Sequence, residues 1–394
     1  MENIWIAPKI IIGKDATGQY YYRREYIENE IWSEIKKGNN VLIAAPRRVG
    51  KTSIMKYLIE NTEPGYKLIF RNVQGIDTEK EFYKTIYELI IKCLSKFESS
   101  KTLIADYFKQ KKITEISWSG GVTIGDNEID YLHEINNLIP KLDLEGETIV
   151  LLIDELPEVL HNLHKKGNND IAKSIIKNLR QWRQEKGYEK LQFILAGSVG
   201  IHYVVNLIDG RTSDINDLNK IYYQPLNENE VDNYIDWATN KSSVKFNDSL
   251  KQYLRAKIQY FVPYFINLML DEIDKSARKK NDALISEIEI DNAFNNIVKN
   301  NDYFSDWKKR LSDYLPREDF KFVNEILKHI AHKNHISIQE IYNMAEIFDR
   351  TEDYMSFIKD LTQDGYIVEN DNKYIFISPF LKEFWKLDNP VYNG

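Results

Sequence analysis

The segment with the clearest chemical potential is Val41–Ser53, whose core reads Ala45-Pro46-Arg47-Arg48-Val49-Gly50-Lys51-Thr52-Ser53. An apolar run enters a loop that ends in Gly50-Lys51-Thr52, and a helical pattern begins there. Residues of these types in this order suit a polyphosphate. Successive backbone N–H groups and a helix N-terminus surround anionic oxygens, and Gly50 lets the main chain come close. Lys51 would reach the β and γ phosphates, and the Thr52 hydroxyl would ligate Mg²⁺. The tripeptide alone is weak, arising by chance in on the order of one in five chains this long. The strand before it and the helix after it make the match far more specific. Ala45 stands where such loops usually carry their first glycine, and an extended φ there would suit alanine.

A second constellation must agree if the first is real. Ile149–Glu155 is an apolar strand ending in two carboxylates, Asp154 and Glu155. Asp154 would hold the Mg²⁺ water shell, and Glu155 would orient or deprotonate an attacking water. The plainer reading is an acidic turn after a strand; the loop about 100 residues upstream favours the nucleotide site. Leu195-Ala196-Gly197-Ser198 is a further strand ending in a small polar residue, either a γ-phosphate sensor or a simple β-turn.

Arg180 and Arg183 lie at i and i+3 on a helix before that strand and so share a face. They and Arg211 are candidates for completing the site of a neighbouring subunit; solvated helix arginines are the plainer reading. Arg47 and Arg48 are expected to pair with Asp or Glu of a neighbouring element. His161 and His164, and His329, His332 and His335, lack a nearby Cys or an evident third ligand, and read as surface or interface histidines rather than zinc ligands. Cys93 falls on an apolar helix face and reads as core.

The elements that must position these groups alternate in the first half of the chain. Strands are expected at Asn40–Ala45, Lys67–Val73, Thr148–Ile153, Leu191–Ala196 and Ile221–Gln224. Helices are expected at Lys51–Asn61, Thr78–Lys96 and Asp170–Glu185. This is α/β architecture with a mainly parallel sheet. Ile113–Ile124 has period-2 character around Ser119-Gly120-Gly121, a hairpin signal, and reads as an arm inserted near 113–125. From Pro225 the pattern is helical, opened by an Asn227/Glu230 capping box and with a polar break at Ser276–Asp282. Phe320–His332, Ile338–Ala345 and Thr351–Asp364 then read as three helices, followed by a hairpin of Tyr366–Val368 and Lys373–Ile377, a winged-helix pattern. The expected division is a P-loop core at 1–225, a helical lid at 226–315 and a winged-helix domain at 316–394.

Length and composition bound the rest. A chain of 394 residues, 43% hydrophobic and 29% charged, is long enough for two or three globular domains. The longest apolar stretches, Ile149–Ile153 and Tyr260–Leu270, fall short of the ~20 residues a membrane span requires. One cysteine excludes an internal disulfide. No signal peptide is evident, and the cytosol is the expected compartment. The net charge of −7 lacks the global basic field of a DNA-coating protein. Residues 316–394 hold nine Lys and Arg against fourteen Asp and Glu, the opposite of what a recognition helix facing phosphates carries.

Together these residues resemble the STAND-type branch of the AAA+-related P-loop ATPases, especially the archaeal-type ATPase family that also occurs in bacteria. Tyr22-Arg23-Arg24-Glu25 looks like its F/Y-x-R-E motif, and Pro46–Ser53 like its P-R-R-x-G-K-T-S loop. Asp154-Glu155-Leu156-Pro157 resembles its D-E-h-p element, and Ala196-Gly197-Ser198 its strand-end sensor. The resemblance implies ATP and Mg²⁺ as cofactors, with Arg24 and Glu25 near the adenine and Ser198 as sensor. Pro263 looks like a lid proline near the nucleotide, although Phe261 replaces the glycine usually found two residues earlier. It also implies a slow ATPase switch, acting in signalling, defence or mobile-element biology. A protein partner or effector and an ATP-dependent homo-oligomer are the expected associations. The alternatives are a DNA-associated ATPase of the origin-recognition or transposition-regulator kind, which the acidic C-terminal region disfavours, and a nucleotide-binding scaffold with negligible hydrolysis.

Overall fold

A computed structural model describes residues 4–95, 113–117, 121–124, 129–142, 144, 146–197, 201–210 and 212–392. The chain forms two compact units. One comprises Arg23–Ala44 and Lys51–Tyr223; the other comprises Met1–Tyr22, Ala45–Gly50 and Gln224–Gly394.

The first unit carries helices α1 (Glu25–Lys36), α2 (Lys51–Glu60), α3 (Glu79–Leu94), α4 (Tyr131–Leu138), α5 (Leu156–Lys165), α6 (Asn169–Gln184) and α7 (Ile201–Asp209). Its strands are β1 (Val41–Ala44), β2 (Tyr66–Asn72), β3 (Ile113–Ser117), β4 (Gly121–Ile124), β5 (Thr148–Asp154), β6 (Leu191–Ala196) and β7 (Asn219–Tyr222). Five of them form a sheet in the order β2-β5-β6-β1-β7, and every pair in it is parallel. Parallel strands covered on both faces need continuous apolar runs. β5 supplies one, buried from Ile149 onward, and β6 is buried throughout. Trp182 of α6 stacks on Phe193 of β6 and donates its indole N–H to Asn136 at 2.7 Å, fixing that helix to the sheet. Cys93 is fully buried on α3, as expected.

Because the strands are parallel, their C-terminal ends share one edge of the sheet, where α/β proteins bind ligands. β6 lies between β1 and β5, so the strand ending in Ala196 separates the strand before the loop from the strand ending in Asp154. β3 and β4 pair antiparallel as the expected hairpin. The last strand corrects the sequence reading. It begins at Asn219 and ends at Tyr222, because Val41–Ala44 offers partners only from Asn219 to Tyr222.

The second unit contains α8 (Glu228–Thr239), α9 (Asp248–Ile258), α10 (Pro263–Lys280), α11 (Glu287–Lys299), α12 (Ser305–Tyr314), α13 (Arg317–Lys333), α14 (Ile338–Phe348), α15 (Tyr354–Gln363) and α16 (Pro379–Asp388). Strands β8 (Ile336–Ser337), β9 (Ile367–Asn370) and β10 (Lys373–Phe376) form an antiparallel sheet in the order β8-β10-β9. The Asn227/Glu230 capping box opens α8 as expected, and Ser286/Glu289 and Ser337/Glu340 open α11 and α14. The break expected at Ser276–Asp282 is misplaced. α10 continues to Lys280 because Ala277 is buried and three cations suit a helix C-terminus; the chain turns at Asn281, φ 54°. The three helices and hairpin expected over 320–377 are present, turning on Asp371 and Asn372, both with positive φ. α16 was not anticipated; its Phe380, Leu381, Phe384 and Trp385 complete an aromatic core with Phe265, Phe304 and Trp307. No helix among the described residues is long and apolar enough to cross a membrane.

Candidate functional site

β5 pairs with β2 to its last residue, Asn72 opposite Asp154, and Val73 N–H donates to the Asp154 carbonyl at 3.0 Å. The backbone therefore holds Asp154 at the sheet edge, where it is 1% exposed. The Thr52 hydroxyl, in the first turn of α2, donates to Asp154 Oδ2 at 2.5 Å. Asp154 Oδ1 accepts the Glu155 N–H at 3.1 Å. Burial pushes the Asp154 carboxyl above its ordinary pKa and the neighbouring Glu155 charge adds to this; the Thr52 hydrogen bond and Lys51 oppose it. Lys51 and Ser53 are also buried.

A hydroxyl and a carboxylate meeting across 102 residues make an oxygen-only donor pair suited to a hard cation. A divalent ion there would offset the burial that now disfavours the Asp154 charge. Among the described residues no three His, Cys, Asp or Glu converge, so such an ion would complete its shell with water and phosphate oxygens, as Mg²⁺ does. The residues present fit Mg²⁺. Glu155 follows at φ 62°, a left-handed conformation that costs a non-glycine residue roughly 1–2 kcal/mol. This kink turns the chain from β5 into α5, with Pro157 in the first helical turn.

Residues Ala45–Gly50 belong to the second unit. Gly50 has φ 111°, which needs glycine, whereas Ala45 has no positive φ. Val49 is buried. Arg48 has φ 61°, with its guanidinium 3.9 Å from the Tyr264 ring centroid and 3.4 Å from Asp306. Arg48 thus meets the expected carboxylate. Arg47 differs: its Nη1 is buried without a hydrogen-bond acceptor among the described residues. Burial lowers the Arg47 pKa, and Arg310 and Arg48 lower it further. Sequence spacing carried no signal for Tyr264, Asp306 or Arg310, which only tertiary packing brings to the loop.

Arg24 is buried, its guanidinium 5.0 Å from the Tyr223 ring and bonded to the Tyr26 hydroxyl; Glu25 is exposed and pairs with Arg23 at 3.1 Å. Pro263 opens α10. Ser198 and Arg211 lie outside the described residues. Arg183 is 1% exposed and holds Asp217 at 2.7 and 2.9 Å and the Asp214 carbonyl at 2.8 Å. Arg180 holds the Ser213 carbonyl at 2.7 Å and Asp214 at 2.8 Å. Both brace α6 against the 213–217 turn, so neither is the solvated arginine of the plainer reading. The surface reading of the histidines fails for His161 and His329, which are buried. His329 meets the Tyr392 hydroxyl at 2.9 Å, and His332 meets the Asn389 carbonyl at 2.8 Å.

A profile of the AAA-like domain matches residues 13–355. Among solved structures, a Walker-type ATPase of Pyrococcus abyssi aligns with a TM-score of 0.62 at 13% identity, over 94% of this chain and 98% of that one. The ORC2 protein of Aeropyrum pernix, in its ADPNP–ADP complexes, aligns at 0.55 and 12% identity, over 99% and 96%. Likenesses at such identities speak for the fold alone. No curated protein matches the sequence. The profile match spans most of the chain and agrees with the parallel sheet and its loop: the chain belongs to the AAA-like domain family and has the P-loop NTPase fold.

Proposed function

We propose that the protein is a Mg²⁺-dependent ATPase working as a nucleotide-controlled switch in the cytosol, in signalling, defence or mobile-element biology. The observation that carries this reading is the Thr52–Asp154 contact, which brings the hydroxyl in the first turn of α2 to the buried carboxylate at the end of β5, the pair such a phosphate-and-metal site requires. The loop from Ala45 to Gly50 and the start of α2 with Ser53 surround the phosphates through backbone N–H groups. Lys51 neutralises phosphate charge. Thr52 and Asp154 would hold the cation, which would supply positive charge against the phosphates. Glu155 orients the attacking water and takes its proton. Ser198 reads the γ-phosphate, Arg24 and Glu25 border the adenine, and Pro263 packs near the nucleotide. Arg211, and Arg180 with its side chain still 31% exposed beside Asp214, remain the candidates for a contribution in trans; Arg183, its side chain 1% exposed, is committed within its own chain.

We further propose the P-loop core at 1–225, the helical lid at 226–315 and the winged helix at 316–394. A protein partner suits that last region better than DNA. It is acidic overall, and Ile338, Tyr342, Ile347 and Met355 of α14 and α15 are exposed, Ile347 by 80%. Phosphate release with Mg²⁺-ATP tests the activity. Wild type should turn over, Glu155→Gln should bind ATP without turnover, and Lys51→Ala should do neither. No nucleotide binding by wild type would end the reading, and equal turnover by Glu155→Gln would leave only a scaffold. A DNA shift assay at two salt concentrations tests the alternative, for which strong salt-dependent binding would speak.

A further inference from the structure

Within the second unit, two loop side chains, Pro46 and Arg48, are engaged by residues from much later in the sequence, and Arg47 lies between them with its Nη1 buried. Arg48 is strained, a non-glycine residue at φ 61°, and such a conformation persists only where its surroundings hold it. Its guanidinium lies on the Tyr264 ring at 3.9 Å and beside Asp306 at 3.4 Å. Tyr264 is itself fixed. Its hydroxyl donates to the Tyr303 carbonyl at 3.3 Å, and its ring meets Phe265 edge-on. Phe265 stacks with Trp307, the residue after Asp306, and the Trp307 carbonyl accepts the Tyr366 hydroxyl at 2.9 Å. Both contacts to Arg48 therefore stand on one buried aromatic block. On the other side of Arg47, Pro46 packs so closely on Gly365 that a Cβ there would lie 3.2 Å from Pro46 and 3.0 Å from the Tyr260 hydroxyl. Arg47 carries a buried Nη1 without an acceptor among the described residues, an unfavourable element that the contacts on either side must outweigh.

From these contacts we infer that Tyr264 and Asp306 are positioning residues for the phosphate-binding loop, acting through Arg48; this rests on the nucleotide reading of that loop. Neither residue touches nucleotide. Each holds the left-handed kink that sets where the loop amides point. Fluorescent ATP and ADP analogues with Mg²⁺, titrated into the full chain, give one readout. Tyr264→Ala should weaken both by about tenfold, the worth of a partly desolvated cation–π contact. Tyr264→Phe keeps the ring under Arg48 but loses the long 3.3 Å hydroxyl bond to Tyr303, so it should lose no more than about twofold, and Asp306→Asn should lose about threefold, as a half-exposed ion pair would. Arg48→Ala combined with Tyr264→Ala should be no worse than either alone. Limited trypsin cleavage after Arg47 and Arg48 reads the loop without nucleotide: Tyr264→Ala should be cut several-fold faster and Tyr264→Phe at the wild-type rate. Unchanged cleavage of Tyr264→Ala, an additive double variant, or equal losses from Phe and Ala would overturn the inference. If cleavage changes as expected while wild type binds no nucleotide, the positioning stands and the nucleotide reading fails.

Discussion

Asp154, the last residue of β5, and Arg48, in the loop after β1, are ionisable groups at the ends of two strands of the same sheet, and the chain places them by opposite means. Asp154 is set by backbone: β5 pairs with β2 to its last residue, and nothing about the carboxylate is needed to put it there. Arg48 is set by side chains more than 200 positions along, and its own φ is strained. A group placed by sheet pairing can change its chemistry without moving. A group placed by its own contacts cannot, since altering it alters the loop.

The largest effect that would sharpen this contrast is at Asp154. Asp154→Asn should abolish Mg²⁺-dependent turnover, by about a hundredfold or more. Its melting temperature should stay level or rise, since a buried charge is removed. A lower melting temperature beside normal turnover would break the comparison. Next is Glu155→Gln, expected to reduce turnover about a hundredfold with nucleotide affinity within about twofold, read by single-turnover phosphate release. Gly365→Ala comes third. Its φ of 78° and the contacts at 3.0 and 3.2 Å should lower stability by about 1–3 kcal/mol in urea melts and speed trypsin cleavage at Arg47–Arg48.

The smallest concerns Asp360 on α15, pushed up to about 7 by burial and by Asp364. Its folded pKa lies above the unfolded one, so the unfolded state ionises first. Stability then falls as pH rises from about 4 to 7 and is level above that. Asp360→Asn should raise stability by about 1 kcal/mol at pH 8 and leave it unchanged near pH 4. Urea melts at the two pH values check this, and it tests by itself whether burial raises a carboxylate that has no Thr52-like donor among the described residues.

Much of the fold was legible where local pattern and tertiary demand coincide. β5 is apolar from Ile149 to Ile153 and β6 is apolar but for Gln192, because both faces are covered, and the capping residue Asn227 announced α8 one residue ahead. The misreadings share a cause. At 276–282 a polar run hid a helix whose buried side shows only Ala277, and the start of β7 depended on how far β1 extends. α16 went unread because its aromatic residues have no partner until Phe265 of α10, Phe294 of α11 and Phe304 pack against them.

For the site, residue order alone was enough to single out Gly50, Lys51, Thr52, Asp154 and Glu155, because a tight loop, a helix start and a strand end each require particular residue types at adjacent positions. The contact between Thr52 and Asp154, the braces made by Arg180 and Arg183, and the hold of Tyr264 and Asp306 on Arg48 were decided by tertiary structure. Ring faces and carboxylates this far apart in sequence leave no periodic trace, and only the folded chain brings them within reach.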